Sequence, residues 1–250
     1  DVAEPGSACS AGAFREAALA AQRDILARGK LPVVVGGTGL YYRAFTQGLV
    51  EAPPRQEALR RRLKDRVERR GPERLHEVLA RLDPASASRI GPRDALRIVR
   101  ALEVRLATGR PLSAWIARRP FAFPEGSRTL RIGLTARREF LYDRIGKRVD
   151  AMMAAGLLGE VRGLWARGLL LGPARKAIGY GELARHLEGF WGLDEAVDAI
   201  RLRSRHLAKR QMAWFNKEKE IDWFTIEKEA WKNDAIQFIQ RWLSEAGRHP

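Results

Sequence analysis

The chain has 250 residues, and its 46 lysines and arginines outnumber its 30 acids, which gives a formal net charge of +16. Its single cysteine excludes an internal disulfide and a zinc site made of several cysteines. No apolar run approaches the roughly 20 residues that span a bilayer, and the first residues carry no secretory pattern. We therefore expect a soluble, cytoplasmic protein. The arginine excess favours a nucleic-acid partner, with solubility tuning as the alternative.

The first elements along the chain predict an α/β fold. Ser10 is typical of a helix cap, and the apolar spacing after it predicts a helix over residues 11–28. The segment Leu31–Val35 is entirely apolar, which predicts a short buried strand in a sheet covered on both faces. A helix over residues 40–48 is predicted next. Helix, short turn and buried strand in this order are typical of an α/β protein.

A glycine-rich turn follows the predicted strand and is the first candidate site. Gly36, Gly37 and Gly39 surround Thr38. In such a turn at a helix N-terminus, backbone N–H groups can approach an anion, and the helix dipole favours negative charge. The turn is not a P-loop, because no Gly-Lys-Ser/Thr follows it. A tight turn in which Thr38 caps the helix explains the same residues without a ligand.

Glycines and prolines mark the remaining predicted elements. Two charged helices are predicted over residues 56–82, divided at Gly71-Pro72, and a third over residues 93–108. Strands are predicted at residues 129–135 and 223–225. Further helices are predicted over residues 137–153, 157–167, 181–187, 194–217 and 230–245. The prediction is a core of residues 1–50 and 128–250 with a mostly helical insertion domain at residues 51–127.

A basic helix is expected inside the insertion. Four apolar residues at helical spacing form its predicted buried stripe: Leu96, Val99, Leu102 and Leu106. Three arginines are predicted together on another face, at a spacing that suits a phosphate backbone: Arg93, Arg97 and Arg100. A solvated basic face without a partner is the alternative.

Two further cationic segments lie in the second half of the chain. Arg175 and Lys176 precede a glycine and Tyr180, a combination suited to clamping a phosphate or stacking a base. A loop with surface charges is the alternative. Later in the chain, cations recur every four residues and predict a ridge along one helix: Arg201, Arg205 and Lys209.

Together and in this order, these segments resemble the tRNA dimethylallyltransferase family, also called tRNA isopentenyltransferases. Four collinear pieces carry the resemblance. The first is PVVVGGTGLYYRA at residues 32–44. The second is DP at residues 83–84 with RIVRALEV and TGRPLS between residues 97 and 113. The last two are RKAIGYGEL at residues 175–183 and AKRQMAWF at residues 208–215.

The resemblance implies transfer of a dimethylallyl group from dimethylallyl diphosphate to N6 of adenosine 37 in tRNA. It implies an α/β core like that of P-loop kinases, with a parallel sheet and Mg²⁺, and a helical insertion that grips the anticodon stem-loop. Thr38 is implied to lie in the channel where the two substrates meet. Gly36, Gly37 and Arg175 are implied to contact the diphosphate.

The resemblance also implies which residues contact tRNA. Leu96 stands where the family has a glutamine, so one polar RNA contact of the family's Gln-Arg-x-x-Arg segment is absent here. The residues implied to contact tRNA are Arg60, Arg97, Arg100, Arg175, Lys176, Tyr180, Arg205 and Lys209. No metal ligand is predicted in this sequence, and a monomer is expected.

Two family motifs do not occur in these 250 residues. One is the P-loop, Gly-x-Thr-x-x-Gly-Lys-Ser/Thr, which holds the diphosphate and Mg²⁺. The other is Asp-Ser-x-Gln, whose aspartate is the general base. The core is therefore expected to be incomplete at its N-terminal side, through a truncated gene model or a degenerate family member. The chain alone is expected to be weakly active or inactive. A non-catalytic RNA-binding protein is the alternative, and a small-molecule P-loop kinase is disfavoured.

Overall fold

The computed structural model describes residues 4, 5, 7, 9–49, 53–117 and 128–246. The chain divides into two compact units. We call residues 1–17, 22–42 and 125–250 the sheet unit, and residues 18–21 and 43–124 the helical unit. The domain boundaries predicted at 50/51 and 127/128 lie outside the described residues, so those boundaries stay predictions. In the described part of the chain, no helix is long and apolar enough to cross a membrane.

A small parallel sheet lies in the sheet unit. Strand β1 (Ile132–Thr135) pairs with β2 (Asp222–Thr225), so that Ile132 is opposite Asp222. A Cβ atom on Gly133 would lie 2.5 Å from the ring of Trp223, which explains the glycine inside the strand. Parallel strands need a long crossover, and helices supply it here. The parallel sheet with flanking helices confirms the α/β prediction.

The helices of the sheet unit lie close to their predicted positions. Ser10 caps α1 as predicted, because its hydroxyl accepts a hydrogen bond from the N–H of Ala13. Buried apolar residues of the later helices form the core of this unit, among them Val161, Leu183 and Ile200. The helices are α1 (Ala11–Ala27), α2 (Gly39–Gln47, which begins in this unit), α8 (Arg138–Ala154), α9 (Leu157–Ala166), α10 (Tyr180–Leu187), α11 (Leu193–Phe215) and α12 (Trp231–Ala246).

The helical unit contains α3 (Glu57–Arg70), α4 (Pro72–Leu82), α5 (Pro84–Ala87), α6 (Ala95–Thr108) and α7 (Leu112–Ile116). The predicted division at Gly71-Pro72 is confirmed. Gly71 has a φ of +76°, a conformation that favours glycine, and Pro72 occupies the first turn of α4. Leu79, Ile98 and Leu102 are among the residues that build a separate core in this unit.

The predicted buried strand at Leu31–Val35 is wrong. These residues have no strand pairing, and Val35 is 90% exposed. An apolar run forms a buried strand only when neighbouring strands and covering helices are present. Within the described residues the sheet has β1 and β2 alone, and neither pairs with Leu31–Val35. Composition revealed the apolar character of this segment but not its neighbours.

The predicted stripe of α6 is correct in its middle and wrong at its ends. Val99 and Leu102 are buried, whereas Leu96 and Leu106 are exposed. The buried side also includes residues outside the predicted stripe, namely Ile98, Ala101, Glu103 and Val104. The stripe is displaced because α6 packs against both α3 and α4, which covers a wider face than one seam.

Candidate functional site

The glycine-rich turn, Gly36–Gly39, is anchored on the end of α11. The carbonyl of Gly37 accepts a hydrogen bond of 3.0 Å from the side-chain amide of Gln211. A Cβ atom on Gly39 would lie 2.3 Å from the ring of Trp214, so a glycine is needed for this close approach. Thr38 is exposed, and its carbonyl accepts the first hydrogen bond of α2, from Tyr42. The turn therefore presents Thr38 at the surface of the sheet unit.

Arg175 is paired with Glu188, an acid 13 residues later in the chain. It lies in a 3-10 turn, Pro173–Lys176, and its guanidinium donates two hydrogen bonds to the carboxylate of Glu188, at 2.5 and 2.6 Å. These hydrogen bonds lower the pKa of Glu188. Both side chains are partly exposed. A phosphate that binds Arg175 must compete with, or share, this bidentate pair.

A buried glutamate organises the backbone next to Arg175. Glu182 accepts a hydrogen bond of 2.8 Å from the N–H of Gly179 and another from Arg203. Gly179 has a φ of +101°. A Cβ atom on Gly181 would lie 2.4 Å from the carbonyl oxygen of Arg175. The predicted segment is therefore a tightly packed turn rather than a loose loop.

Tyr180 borders an open cleft in the sheet unit. The cleft has a volume of about 580 Å³, and Glu160 and Arg167 also line it. The Tyr180 hydroxyl donates a hydrogen bond to Glu160. This hydrogen bond, together with burial, raises the pKa of Tyr180 above its ordinary value. Tyr180 thus keeps its proton and points its hydroxyl at an acid.

The predicted cationic ridge on α11 is only partly available. Arg201 pairs with Asp150 and Asp198, so its charge is neutralised locally. The guanidinium of Arg205 stacks over Tyr142, with its central carbon 5.1 Å from the ring centre. Lys209 is exposed. The ridge therefore presents Lys209 to solvent, while its other two cations have partners in the sheet unit.

The helical unit places three predicted arginines around α6, each paired with an acid. Arg93 precedes the helix and pairs with Glu73 at 3.3 Å. Arg97 is 74% exposed and pairs with Asp94, the residue that caps α6, at 3.1 Å. Arg97 can leave this pair at little cost, because exposed ion pairs are weak. Because it precedes α6, Arg93 lies outside the helix face on which it was predicted, and the role of these arginines in binding stays a prediction.

Arg60 and Arg100 share a single buried carboxylate. Oε2 of Glu103 lies 2.9 Å from Arg60 and 3.3 Å from Arg100. Oε1 of the same carboxylate accepts a hydrogen bond of 2.7 Å from the backbone N–H of Gln56. Arg100 also donates to the carbonyl of Pro53, at 2.8 Å. The structure thus brings together two predicted RNA contacts from α3 and α6.

Sequence reasoning missed the acids that hold these cations. Glu103, Glu182 and Glu188 are separated from at least one partner by 13 to 43 residues. A local pattern does not reveal such pairs. One signal existed for Glu103, which lies inside the apolar run ALEV of α6. A charged residue in such a run is buried only when it is paired.

Three comparisons with known proteins agree. A family model described as IPP transferase matches residues 1–218. A tRNA dimethylallyltransferase of Geobacter metallireducens is 48% identical over 89% of this chain and 72% of its own length. One of Geobacillus kaustophilus is 41% identical over 100% of this chain and 76% of its own length. The fold and the motifs define a prenyl-transferring enzyme class. The chain belongs to the IPP transferase family.

Solved structures show the same likeness. A tRNA isopentenylpyrophosphate transferase from Bacillus halodurans is 34% identical, with a TM-score of 0.66 over 99% of this chain and 78% of that one. A eukaryotic dimethylallyltransferase acting on tRNA superposes with a TM-score of 0.78 over 97% of this chain and 64% of that one. At 23% identity, the second likeness concerns the fold alone.

Proposed function

We propose that this protein transfers a dimethylallyl group from dimethylallyl diphosphate to N6 of adenosine 37 in tRNA. One observation carries the proposal. The family match over residues 1–218 includes all four collinear pieces, from residues 32–44 to residues 208–215. Each piece alone has an ordinary structural explanation, but their order along the chain does not.

The proposed reaction is a substitution at an allylic carbon. The lone pair of N6 forms a new N–C bond to the first carbon of the dimethylallyl group. The C–O bond breaks, and its electron pair leaves with the diphosphate. The N6 proton passes to a base. Cations and backbone N–H groups stabilise the charge that develops on the diphosphate. We assign no base among these 250 residues, since the Asp-Ser-x-Gln motif is not among them.

In the proposed site, the Gly36–Thr38 turn faces the diphosphate and the target adenine. The exposed position of Thr38 supports this assignment. Arg175 contacts the diphosphate or the tRNA backbone by exchanging its surface partner Glu188 for a phosphate.

The proposed tRNA contacts lie in both units. In the helical unit, which we propose grips the anticodon stem-loop, they are Arg60, Arg97 and Arg100. In the sheet unit, they are Lys176, Tyr180, Arg205 and Lys209. The high net charge supports a phosphate-backbone interaction. Placing adenosine 37 in a reaction channel requires unstacking it, and the grip on the stem-loop offsets that cost. A monomer that acts in the cytoplasm is proposed.

We propose that Mg²⁺ accompanies the diphosphate, as the family resemblance implies, and we assign no ligand for it among the described side chains. Residues 4, 5, 7, 9–49, 53–117 and 128–246 contain no group of three or more His, Cys, Asp or Glu side chains that could hold a metal ion. Mg²⁺ prefers oxygen ligands and is commonly bound by one or two carboxylates. No step above is therefore assigned to the metal.

A transfer assay tests the proposal. The chain is incubated with dimethylallyl diphosphate and a tRNA with adenosines at positions 36, 37 and 38, and the product nucleoside is measured by mass spectrometry. The Geobacter metallireducens relative is the positive control. Transfer that disappears when guanosine replaces adenosine 37 supports the proposal. Because the chain alone is expected to be weakly active or inactive, the assay is repeated with a P-loop and an Asp-Ser-x-Gln segment supplied at its N-terminus. Tight tRNA binding without transfer by that longer protein supports the RNA-binding alternative, and absence of both contradicts the two functions. A rate near that of the relative, from the chain alone, contradicts the expectation of weak activity.

Substitutions separate the proposed roles. In the protein with a restored N-terminus, Thr38→Ala is expected to slow transfer more than it weakens tRNA binding. Arg97→Ala is expected to weaken binding and to reduce the slope of log affinity against log salt by about one. Arg69→Ala is the matched control for charge. Arg69 is exposed on α3 and faces about half a turn away from Arg60. The opposite pattern for Thr38 and Arg97 would contradict the assignment.

A further inference from the structure

Glu103 is a charged side chain with almost no exposed surface. It lies between the buried residues Leu102 and Val104 on α6, and its side chain is 1% exposed. An acid is rarely fully buried unless it is paired. Glu103 accepts one backbone hydrogen bond, from Gln56, and pairs with Arg60 and Arg100. All of these partners belong to the helical unit.

The two arginines keep donors beyond those that the acid uses. A guanidinium carries five N–H donors, whereas Glu103 offers both arginines one oxygen, Oε2. The side chains of Arg60 and Arg100 are 14% and 28% exposed, so each still reaches solvent. Two positive charges against one negative charge leave the cluster with a net charge of +1. The cluster is thus a fixed cation pair with capacity for an anion.

We infer that Glu103 positions Arg60 and Arg100 for a phosphate of the tRNA backbone. The inference rests on the proposed function, in which these two arginines contact tRNA, and it adds the residue that orders them. A free arginine side chain has large rotamer entropy. Holding both guanidinium groups on one buried carboxylate removes much of that entropy before RNA arrives, so less is lost on binding. Glu103 acts through the arginines and touches no substrate.

If charge alone decided affinity, removal of Glu103 would strengthen tRNA binding. Removal of an acid beside two arginines raises the positive charge of the helical unit, and more positive charge strengthens binding to a polyanion. If Glu103 only tied α3 to α6, its removal would lower stability, and tRNA affinity would fall only as the unit unfolds. A positioning role predicts weaker binding by folded protein despite the higher charge.

The test compares the tRNA affinity of wild type and Glu103→Gln at several salt concentrations. Glutamine keeps the shape and one oxygen acceptor but removes the charge. We expect binding about fivefold weaker, as for the loss of one ordered side chain, and a flatter salt dependence. Glu103→Asp keeps the charge and retracts the carboxylate by one methylene, and it is expected to weaken binding as well. Thermal melting shows whether Glu103→Gln folds. If it does not, Glu103→Asp takes its place in the comparison with wild type.

Asp83→Asn is the matched control. Asp83 is another buried acid of the helical unit, but its partners are Ser86 and Ser113 rather than arginines. It is expected to lower the melting temperature without changing the affinity of the folded protein. In the double variant Arg60→Ala/Arg100→Ala, the further change Glu103→Gln is expected to have no effect on affinity.

Unchanged or tighter binding by both folded Glu103 variants would overturn the positioning role and leave the proposed function intact. Equal loss of affinity in Glu103→Gln and Asp83→Asn would also overturn it, because the effect would then be one of stability. Failure of the wild-type chain to bind tRNA would instead contradict the proposed function, and the inference with it.

Discussion

The two units hold their candidate substrate-binding arginines in different ways. In the helical unit, Arg60 and Arg100 rest on a carboxylate with almost no exposed surface, that of Glu103. In the sheet unit, Arg175 pairs with Glu188, and both side chains are partly exposed. The helical unit sets two arginines against one acid and the sheet unit one against one, and the two pairs also differ in burial. Burial removes the water that would otherwise replace a lost partner.

This difference separates a fixed contact from an exchangeable one. A buried pair resists change, because removal of one member leaves an uncompensated charge. An exposed pair is worth little and is readily replaced by another anion. Arg60 and Arg100 are therefore expected to keep their positions whether or not an anion is bound. Arg175 can exchange Glu188 for another anion.

The largest expected effect is a loss of stability on replacing the buried acid. Glu103→Ala leaves two arginines and the N–H of Gln56 without their acceptor. We expect the free energy of unfolding of the helical unit to fall by about 3 kcal/mol. Glu188→Ala leaves Arg175 exposed to water, and we expect a much smaller change. Hydrogen exchange of α3, α6 and α10 amides measures each unit separately. Equal losses in the two variants would break the comparison.

A second test addresses the backbone that positions Arg175. In Gly181→Ala, the new Cβ would lie 2.4 Å from the Arg175 carbonyl oxygen, so the turn must move. We expect a loss of about 1–3 kcal/mol and weaker binding of inorganic diphosphate. Gly146→Ala on α8 is the control, because its Cβ would meet nothing within 4 Å. It is expected to stabilise the protein by up to about 1 kcal/mol. Urea unfolding that reverses this order would contradict the packing argument.

A third test concerns Asp83, a buried acid of the helical unit whose hydrogen bonds contribute to stability. Burial would raise the pKa of Asp83, but hydrogen bonds from Ser113 and Ser86 outweigh it and hold the pKa below the ordinary value. A lowered pKa stabilises the fold above the pKa of the unfolded chain. That stability is lost as the pH falls through the folded value.

We therefore expect acid to destabilise the wild-type helical unit from about pH 4 downward, and Asp83→Asn to remove part of this pH dependence. At neutral pH the substitution should cost about 1–3 kcal/mol. Denaturant unfolding at a series of pH values measures both effects. Identical acid profiles for wild type and variant would contradict the role of the Asp83 hydrogen bonds.

The smallest expected effect concerns Tyr180 in the sheet unit. The hydrogen bond to Glu160 raises the pKa of Tyr180, so this contribution to stability is present below the ordinary tyrosine pKa and is lost as the pH rises through the folded value. Glu160→Gln is expected to bring the pKa of Tyr180 back toward its ordinary value. Phenolate absorbance, taken as a difference from matched Tyr180→Phe variants, measures it. An unchanged titration would show that Glu160 does not interact with Tyr180 in solution.

Local signals predicted most helices of this chain. The cap at Ser10 and the Gly71-Pro72 division depend on neighbours in sequence, and the structure confirms both. The apolar run Leu31–Val35 failed as a predicted strand because a strand needs partners that its own residues do not specify.

The sequence identified the cations of the candidate site but not the acids that pair with them. Arg100 and Arg175 were found from motifs and Arg60 from the family resemblance, whereas Glu103 and Glu188 are paired through the tertiary fold. The roles of the cations in binding stay predictions. Leu96 shows a further limit of helical spacing. It matches the predicted apolar stripe, yet it is exposed because no neighbouring helix covers it.

The shared carboxylate of Glu103 has a consequence for the evolution of the chain. One acid serves two arginines, so a change at position 103 alone leaves two like charges side by side in a poorly solvated place. A lineage that loses the glutamate is therefore expected to lose Arg60 or Arg100 as well. Among related sequences, positions 60, 100 and 103 should vary as a set, while the exposed arginines of α3 drift independently.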